Sequence, residues 1–79
     1  MEELHTIRAL ILRTTFKALL LEWQNENEPN QYASVWVPRS VIVDGDAKKE
    51  NDETLQVIEI KNWWWINHEP DITYGTHHA

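Results

Sequence analysis

Three consecutive tryptophans, Trp63, Trp64 and Trp65, sit in the stretch NWWWINHEP. No regular backbone turns three neighbouring side chains to one side. On a helix, Trp63 shares a face with Ile66 while Trp64 turns well away. On a strand, Trp63 and Trp65 share a face and Trp64 opposes them. Both geometries single out Trp64 as the indole left over for contact with a partner. The run matters because the chain has little else to build with: 79 residues, no cysteine and five tryptophans. A chain this short buries a smaller share of its surface than a larger domain, so its core is thin. Without disulfides, stability must come from apolar packing, a subunit interface included. Each indole is a large apolar surface, and most are expected inside.

Seven basic residues stand against thirteen acidic ones, a net charge of −6. That balance argues against direct nucleic-acid binding, which needs a cationic face against phosphate. It suits a protein partner with a basic surface, including proteins that themselves bind nucleic acid. The apolar opening stretch MEELHTIRALILRTTFKALLL begins with Glu2 and Glu3 and is interrupted by Arg8, Arg13 and Lys17. It reads neither as a secretory signal nor as a membrane span. A cytoplasmic location is the expectation, and the lack of cysteine fits a reducing compartment.

Residues 5–23 fit either a helix or a hairpin. As a helix, Leu4, Ile7, Leu10, Ile11, Thr14, Ala18 and Leu21 approximate one stripe. As strands, Ile7, Ala9 and Ile11 share a face, and Phe16, Ala18 and Leu20 oppose Lys17, Leu19, Leu21 and Trp23. The β-branched pair Thr14–Thr15 is poor in a helix centre and tilts the reading to the hairpin. QNENEPNQ (24–31) is a polar loop. YASVWVP (32–38) is a strand with Ala33, Val35 and Val37 on one side and Tyr32, Ser34 and Trp36 on the other. Pro38 ends it or marks a sheet edge. RSVIV (39–43) is a bent continuation or a short further strand. DGDAKKENDET (44–54) is a charged surface loop. LQVIEI (55–60) is a strand with Leu55 and Val57 opposite Ile58 and Ile60. Asn62 is placed to cap a short helix at the tryptophan run. The segment 71–79 reads as a loosely ordered tail beyond a single domain spanning 1–70.

The order of these pieces resembles a loose pattern shared by many small uncharacterised proteins of phages and bacteria. The pattern is a strand pair with a "KA-apolar-L" stretch, then "W-[IV]-P-[KR]-S", a charged loop, and a strand running into tryptophan. The matching stretches are KALLLEW (17–23), WVPRSVI (36–42) and LQVIEIKNWW (55–64), so the resemblance spans roughly 5–66. It implies a compact β-rich domain of SH3-like or OB-like shape, which favours the hairpin, and a phage origin. It implies no activity. The triple tryptophan and the longer 24–31 loop depart from it.

Candidate chemistries are few. Ser34 and Ser40 have no histidine near in sequence, so nothing signals a catalytic triad. The carboxylates lie mostly in loops, where solvent keeps them ordinary acids. His68, His77 and His78 gather with Glu69 and Asp71 near the end, but a zinc site needs ligands held in tetrahedral reach. They read as surface histidines. DGDAKKENDE starts like a calcium loop, yet puts Lys48 and Lys49 where oxygen ligands belong. No metal or cofactor and no enzymatic activity is expected. An aromatic face built from Trp36, Trp63, Trp64 and Trp65 could stack bases. Against −6 this requires Arg8, Arg13, Lys17 and Arg39 to cluster on one side. Arg39, in the turn after Pro38, reads either as a ligand contact beside Trp36 or as a solvated side chain at a structural bend.

The expected fold is a mainly β, five-stranded SH3-like or OB-like barrel with a short C-terminal helix or turn. Its core is drawn from Ile7, Ala9, Ile11, Leu19, Leu21, Val35, Val37, Ile42, Val57 and Ile60, with Trp36 and Trp63 as large members. The expected function is a non-enzymatic protein-interaction module. In its sharp form this is a phage-encoded inhibitor of a bacterial defence nuclease complex. The contact residues are Trp64, Trp65 and Arg39 with the acids Glu26, Glu28, Asp44, Asp46, Glu50, Asp52 and Glu53. The alternatives are a single-stranded nucleic-acid or nucleotide binder and an oligomeric assembly protein.

Overall fold

Alternation of apolar residues decides the fold. The computed structural model describes residues 2–76. The N-terminal segment forms the hairpin, not the helix: β1 (Leu4–Thr14) returns as β2 (Ala18–Gln24). At its tip the Thr15 N–H donates to the Ala18 carbonyl at 2.8 Å, and the Ala18 N–H donates to Thr15 Oγ1 at 3.0 Å. Phe16 stands out there, 92% exposed. β3 (Tyr32–Pro38) and β4 (Asn51–Lys61) complete one antiparallel sheet in the order β3-β2-β1-β4.

Direct cross-strand partners point to the same side of a sheet. The pairs Ile11–Leu21, Leu21–Val35, Leu19–Val37 and Ile7–Ile58 therefore define one face. It holds the buried core: Ala9, Ile11, Leu19, Leu21, Trp23, Ala33, Val37, Ile58 and Ile60. A short helix, α1 (Asn62–His68), Val41 and Ile42 close over it, with Ile72 and Tyr74 packed against it. The opposite face carries the pairs Leu20–Trp36, Arg13–Leu20, Leu10–Glu22 and Arg8–Val57.

The expected five-stranded closed barrel is not formed. After Pro38 the chain makes 3-10 turns at Arg39–Val41 and Gly45–Ala47 rather than a fifth strand. Only an isolated bridge, Ile42 to Ile60, touches the β4 edge. Three core assignments also change. Val57 is exposed while Ile58 takes the inside, because Ile58 pairs with Ile7. Trp36 is 46% exposed, because its neighbours Val35 and Val37 face Leu21 and Leu19. Trp63 is also outside, as described below. Two contacts join the segment after 70 to the sheet. Tyr74 accepts a 2.8 Å hydrogen bond from Trp23 Nε1, and Gly75 exchanges backbone bonds with Tyr32 at 2.8 and 2.9 Å.

Gly45 is buried where two loops meet, and a Cβ there would run into the Arg39 carbonyl. Gly45→Ala must push backbone, not a flexible side chain. The expected loss is about 2 kcal/mol, within the range for overpacking. It is checked by urea unfolding, where an unchanged midpoint would show that the loop yields freely.

Candidate functional site

The tryptophan run folds as α1, which follows directly from β4. Its first turn leans on the N-terminus. The Asn62 N–H donates to the Glu3 carbonyl at 3.0 Å, and Asn62 Nδ2 to Glu3 Oε2 at 3.3 Å. Asn62 is thus the first helical residue, with Lys61 before it, rather than the side-chain cap expected from sequence. His68 Nδ1 lies 2.8 Å from the Trp64 carbonyl, one turn back, and the His68 ring stacks on Trp64 at 4.1 Å.

The helix divides the three indoles. Trp64 and Trp65 are 5% and 6% exposed and belong to the core. Trp65 stacks on His5 with ring centres 4.0 Å apart and tilts against Trp23 at 5.7 Å. Trp63 is 53% exposed, and Ile66, one turn later, is 60% exposed. The expectation that Trp64 is the indole left over is therefore corrected: the outward one is Trp63. The helical spacing of Trp63 and Ile66 was visible in the sequence. What was missing was which side of so short a helix meets the sheet. That side is fixed by the chain leaving β4 at Lys61 and by the His5 and Trp23 rings waiting for Trp65.

Acidic side chains touch the two residues just before Trp63 and follow Ile66 in the chain. Glu2 lies 3.8 Å from Lys61 Nζ, Glu3 holds Asn62, and Glu69 follows Ile66 at the next three-residue step. Glu26 and Glu28, exposed in the β2–β3 connection, lie at the same end of the sheet, beyond Gln24 and Tyr32. Asp44, Asp46, Glu50, Asp52 and Glu53 are also exposed, on the stretch that runs from the Ile42–Ile60 bridge back to the start of β4. These are two separate loops in the chain. The second borders an open cleft of about 450 Å³ that also includes Lys48 and Lys49.

Arg39 is half-buried, with its guanidinium bonded to backbone carbonyls. Its Nε donates to the Thr15 carbonyl at 3.0 Å, and Nη1 donates to the carbonyls of Gly45 (2.7 Å) and Lys48 (3.0 Å). It ties the hairpin tip to both ends of the 3-10 turn Gly45–Ala47. A second cleft, about 300 Å³, brings Ser34, His68 and Asp71 to one wall. These are hydrolase residue types, but Ser34 Oγ donates to Glu22 at 3.5 Å and His68 Nδ1 faces the Trp64 carbonyl. Among the described residues no hydrogen bond joins the three, and no three His, Asp or Glu side chains gather as a cation site. His77 and His78 lie outside the described residues. No helix among the described residues is long and apolar enough to cross a membrane.

Fold and site together define a small mainly β domain whose short helix presents an exposed apolar pair. Comparison with family models, curated proteins and solved structures gives no match.

Proposed function

We propose that this chain is a non-enzymatic protein-interaction module, and that Trp63 and Ile66 are its apolar anchors for a partner with a basic surface. One observation carries the reading: two large apolar side chains, one helical turn apart, stand more than half exposed on the outside of α1. Exposed tryptophan is the residue type that most often dominates interface energy. Glu2 and Glu3, which touch Lys61 and Asn62, and the chain's net charge of −6 speed encounter with a cationic partner and disfavour an acidic one. The narrower form is a phage-encoded inhibitor that occupies the cationic nucleic-acid channel of a defence nuclease. It draws on the sequence resemblance and on this charge.

Affinity capture from the source cells tests the reading. Trp63→Ala and Ile66→Asp are expected to lose the captured partner, with folding free energy changed by about 1 kcal/mol or less, as for other surface positions. Capture should weaken as salt rises. Retention of the same partner by both variants would sink the proposal.

A second reading has one supporting observation. Arg8, Arg13 and Trp36 share the open sheet face, a placement suited to stacking and holding a single strand. Quenching of tryptophan fluorescence by short single-stranded DNA at low salt, abolished in Trp36→Ala, would favour it over the protein partner.

A further inference from the structure

The outer edge of β3 leaves a strand position only partly filled. β3 pairs with β2 on one side and ends the sheet on the other. Backbone groups of an antiparallel strand point to its two sides alternately, residue by residue. The Tyr32 N–H and carbonyl both go outward, to Gly75, while the Arg39 N–H goes inward, to the Lys17 carbonyl. Tyr32, Ser34, Trp36 and Pro38 therefore turn their backbone groups away from β2. Pro38, with no N–H to offer, suits such an edge. Of these four, only Tyr32 has its outward groups bonded to backbone among the described residues.

Gly75 thus fills the position beside β3 at one residue. The residues before it leave that line, because Ile72 and Tyr74 pack on the core. Beside Ser34 there remains the cleft of about 300 Å³ lined by Ser34, Val35, His68, Asp71, Ile72 and Thr73. We propose that an extended segment of a partner protein pairs here with Ser34 and Trp36 as an added strand, with one lysine or arginine side chain in the cleft.

Backbone and side chains both select that occupant. The open N–H and carbonyl groups of Ser34 and Trp36 are a template for strand addition. Side chains of the added strand alternate. Those opposite Ser34 and Trp36 join the half-exposed Trp36 ring on the open face. The one between them, opposite Val35, turns to the cleft. Val35 and Ile72 offer apolar wall to an aliphatic stem, and exposed Asp71 offers a counter-charge to its head. No lysine or arginine lines the cleft. The pattern it fits is apolar, then Lys or Arg, then apolar. A second copy of β3 fits worse. With Ser34 set against Trp36 of the other copy, Pro38 falls opposite Tyr32, whose outward groups Gly75 already holds. With Trp36 set against Trp36, the Ser34 carbonyl faces a proline that has no N–H.

The claim goes beyond the Trp63 reading and does not rest on it. The probe is the capped peptide Thr-Val-Lys-Val-Thr, titrated into the full nitrogen-15-labelled chain and followed by amide NMR. The Ser34 and Trp36 signals should move most and exchange more slowly with solvent. The expected dissociation constant is on the order of 0.1–1 mM, weak as a short ladder should be. Ser34→Pro removes one outward N–H without touching the β2 pairing, and should weaken binding about fivefold or more. Asp71→Asn should weaken it about threefold, as for an exposed ion pair, and leave unchanged the binding of the same peptide with norleucine for lysine. The peptide N-methylated at both valines should not bind. Unmoved Ser34 and Trp36 signals at about 5 mM peptide, equal binding of the N-methylated peptide, or movement centred on Trp63 would overturn the proposal. So would movement of the same signals when the chain alone is concentrated, because a second copy would then be the occupant. Trp63→Ala should bind the peptide unchanged, so failure of this claim and failure of partner capture are read separately.

Discussion

Trp65→Ala is expected to lower the unfolding free energy by about 3–5 kcal/mol, the largest loss of any single truncation considered. Trp65 joins three parts of the molecule. It comes from α1, stacks on His5 of β1 and tilts against Trp23 of β2, whose Nε1 in turn donates to Tyr74 of the C-terminal segment. Truncating a buried tryptophan costs about 3–5 kcal/mol, because the site cannot collapse to fill the space. A domain of this length has roughly 4–12 kcal/mol in all at the usual stability per residue. Loss of this one ring therefore removes a large share of the total. Urea unfolding followed by far-UV circular dichroism reads the effect. Trp63→Ala, from the same helix, should shift the midpoint little. Equal losses for the two variants would contradict the division of the indoles.

Arg39→Ala should cost about 2–3 kcal/mol, the next largest effect. Three carbonyls, those of Thr15, Gly45 and Lys48, converge on one guanidinium. Hydrogen bonds to a charged donor are worth more than neutral ones, and removal leaves partly buried acceptors without it. The side chain is only partly buried, so water takes over some of these bonds, and the sum of three full contributions is not expected. Arg39→Lys should recover little, since an ammonium cannot span the fork that the guanidinium fills. Hydrogen exchange should show faster amides across residues 39–50 and at the hairpin tip. An unchanged midpoint and unchanged exchange would mean that Arg39 is free at the surface, and would return it to the list of contact residues.

Much of the sheet was legible in the sequence because strand alternation is a period-two signal. Ile7, Ala9 and Ile11, then Leu19, Leu21 and Trp23, then Ala33, Val35 and Val37 were each grouped on one side, and each group meets the same core. Which group faces inward is a different question, decided by pairing. Trp36 is the larger side chain, but Leu19 and Leu21 pair with Val37 and Val35, and the whole strand follows them. The same logic puts Ile58 inside and Val57 outside. The barrel was not legible at all. Closure depended on RSVIV running as a strand, whereas Arg39 turns inward to the carbonyls and the backbone coils into 3-10 turns. Of the site, the Trp63–Ile66 pair lay open in the helical spacing. The burial of Trp64 and Trp65 depended on His5, Trp23 and Tyr74, which no local pattern brings together. The acidic residues were legible as loops, but the path of the second across to Ile60 of β4 was not, because no local pattern pairs Ile42 with Ile60.

The account turns on one helix placing two indoles in the core and leaving the third for contact. The direct measurement is fluorine NMR of the chain labelled with 5-fluorotryptophan, with a neutral paramagnetic probe in the solvent and each signal assigned by single Trp→Phe replacement. The Trp63 signal should relax strongly with added probe, while those of Trp64 and Trp65 stay sharp. A protected Trp63, or a Trp64 relaxed as strongly as Trp63, would contradict the account.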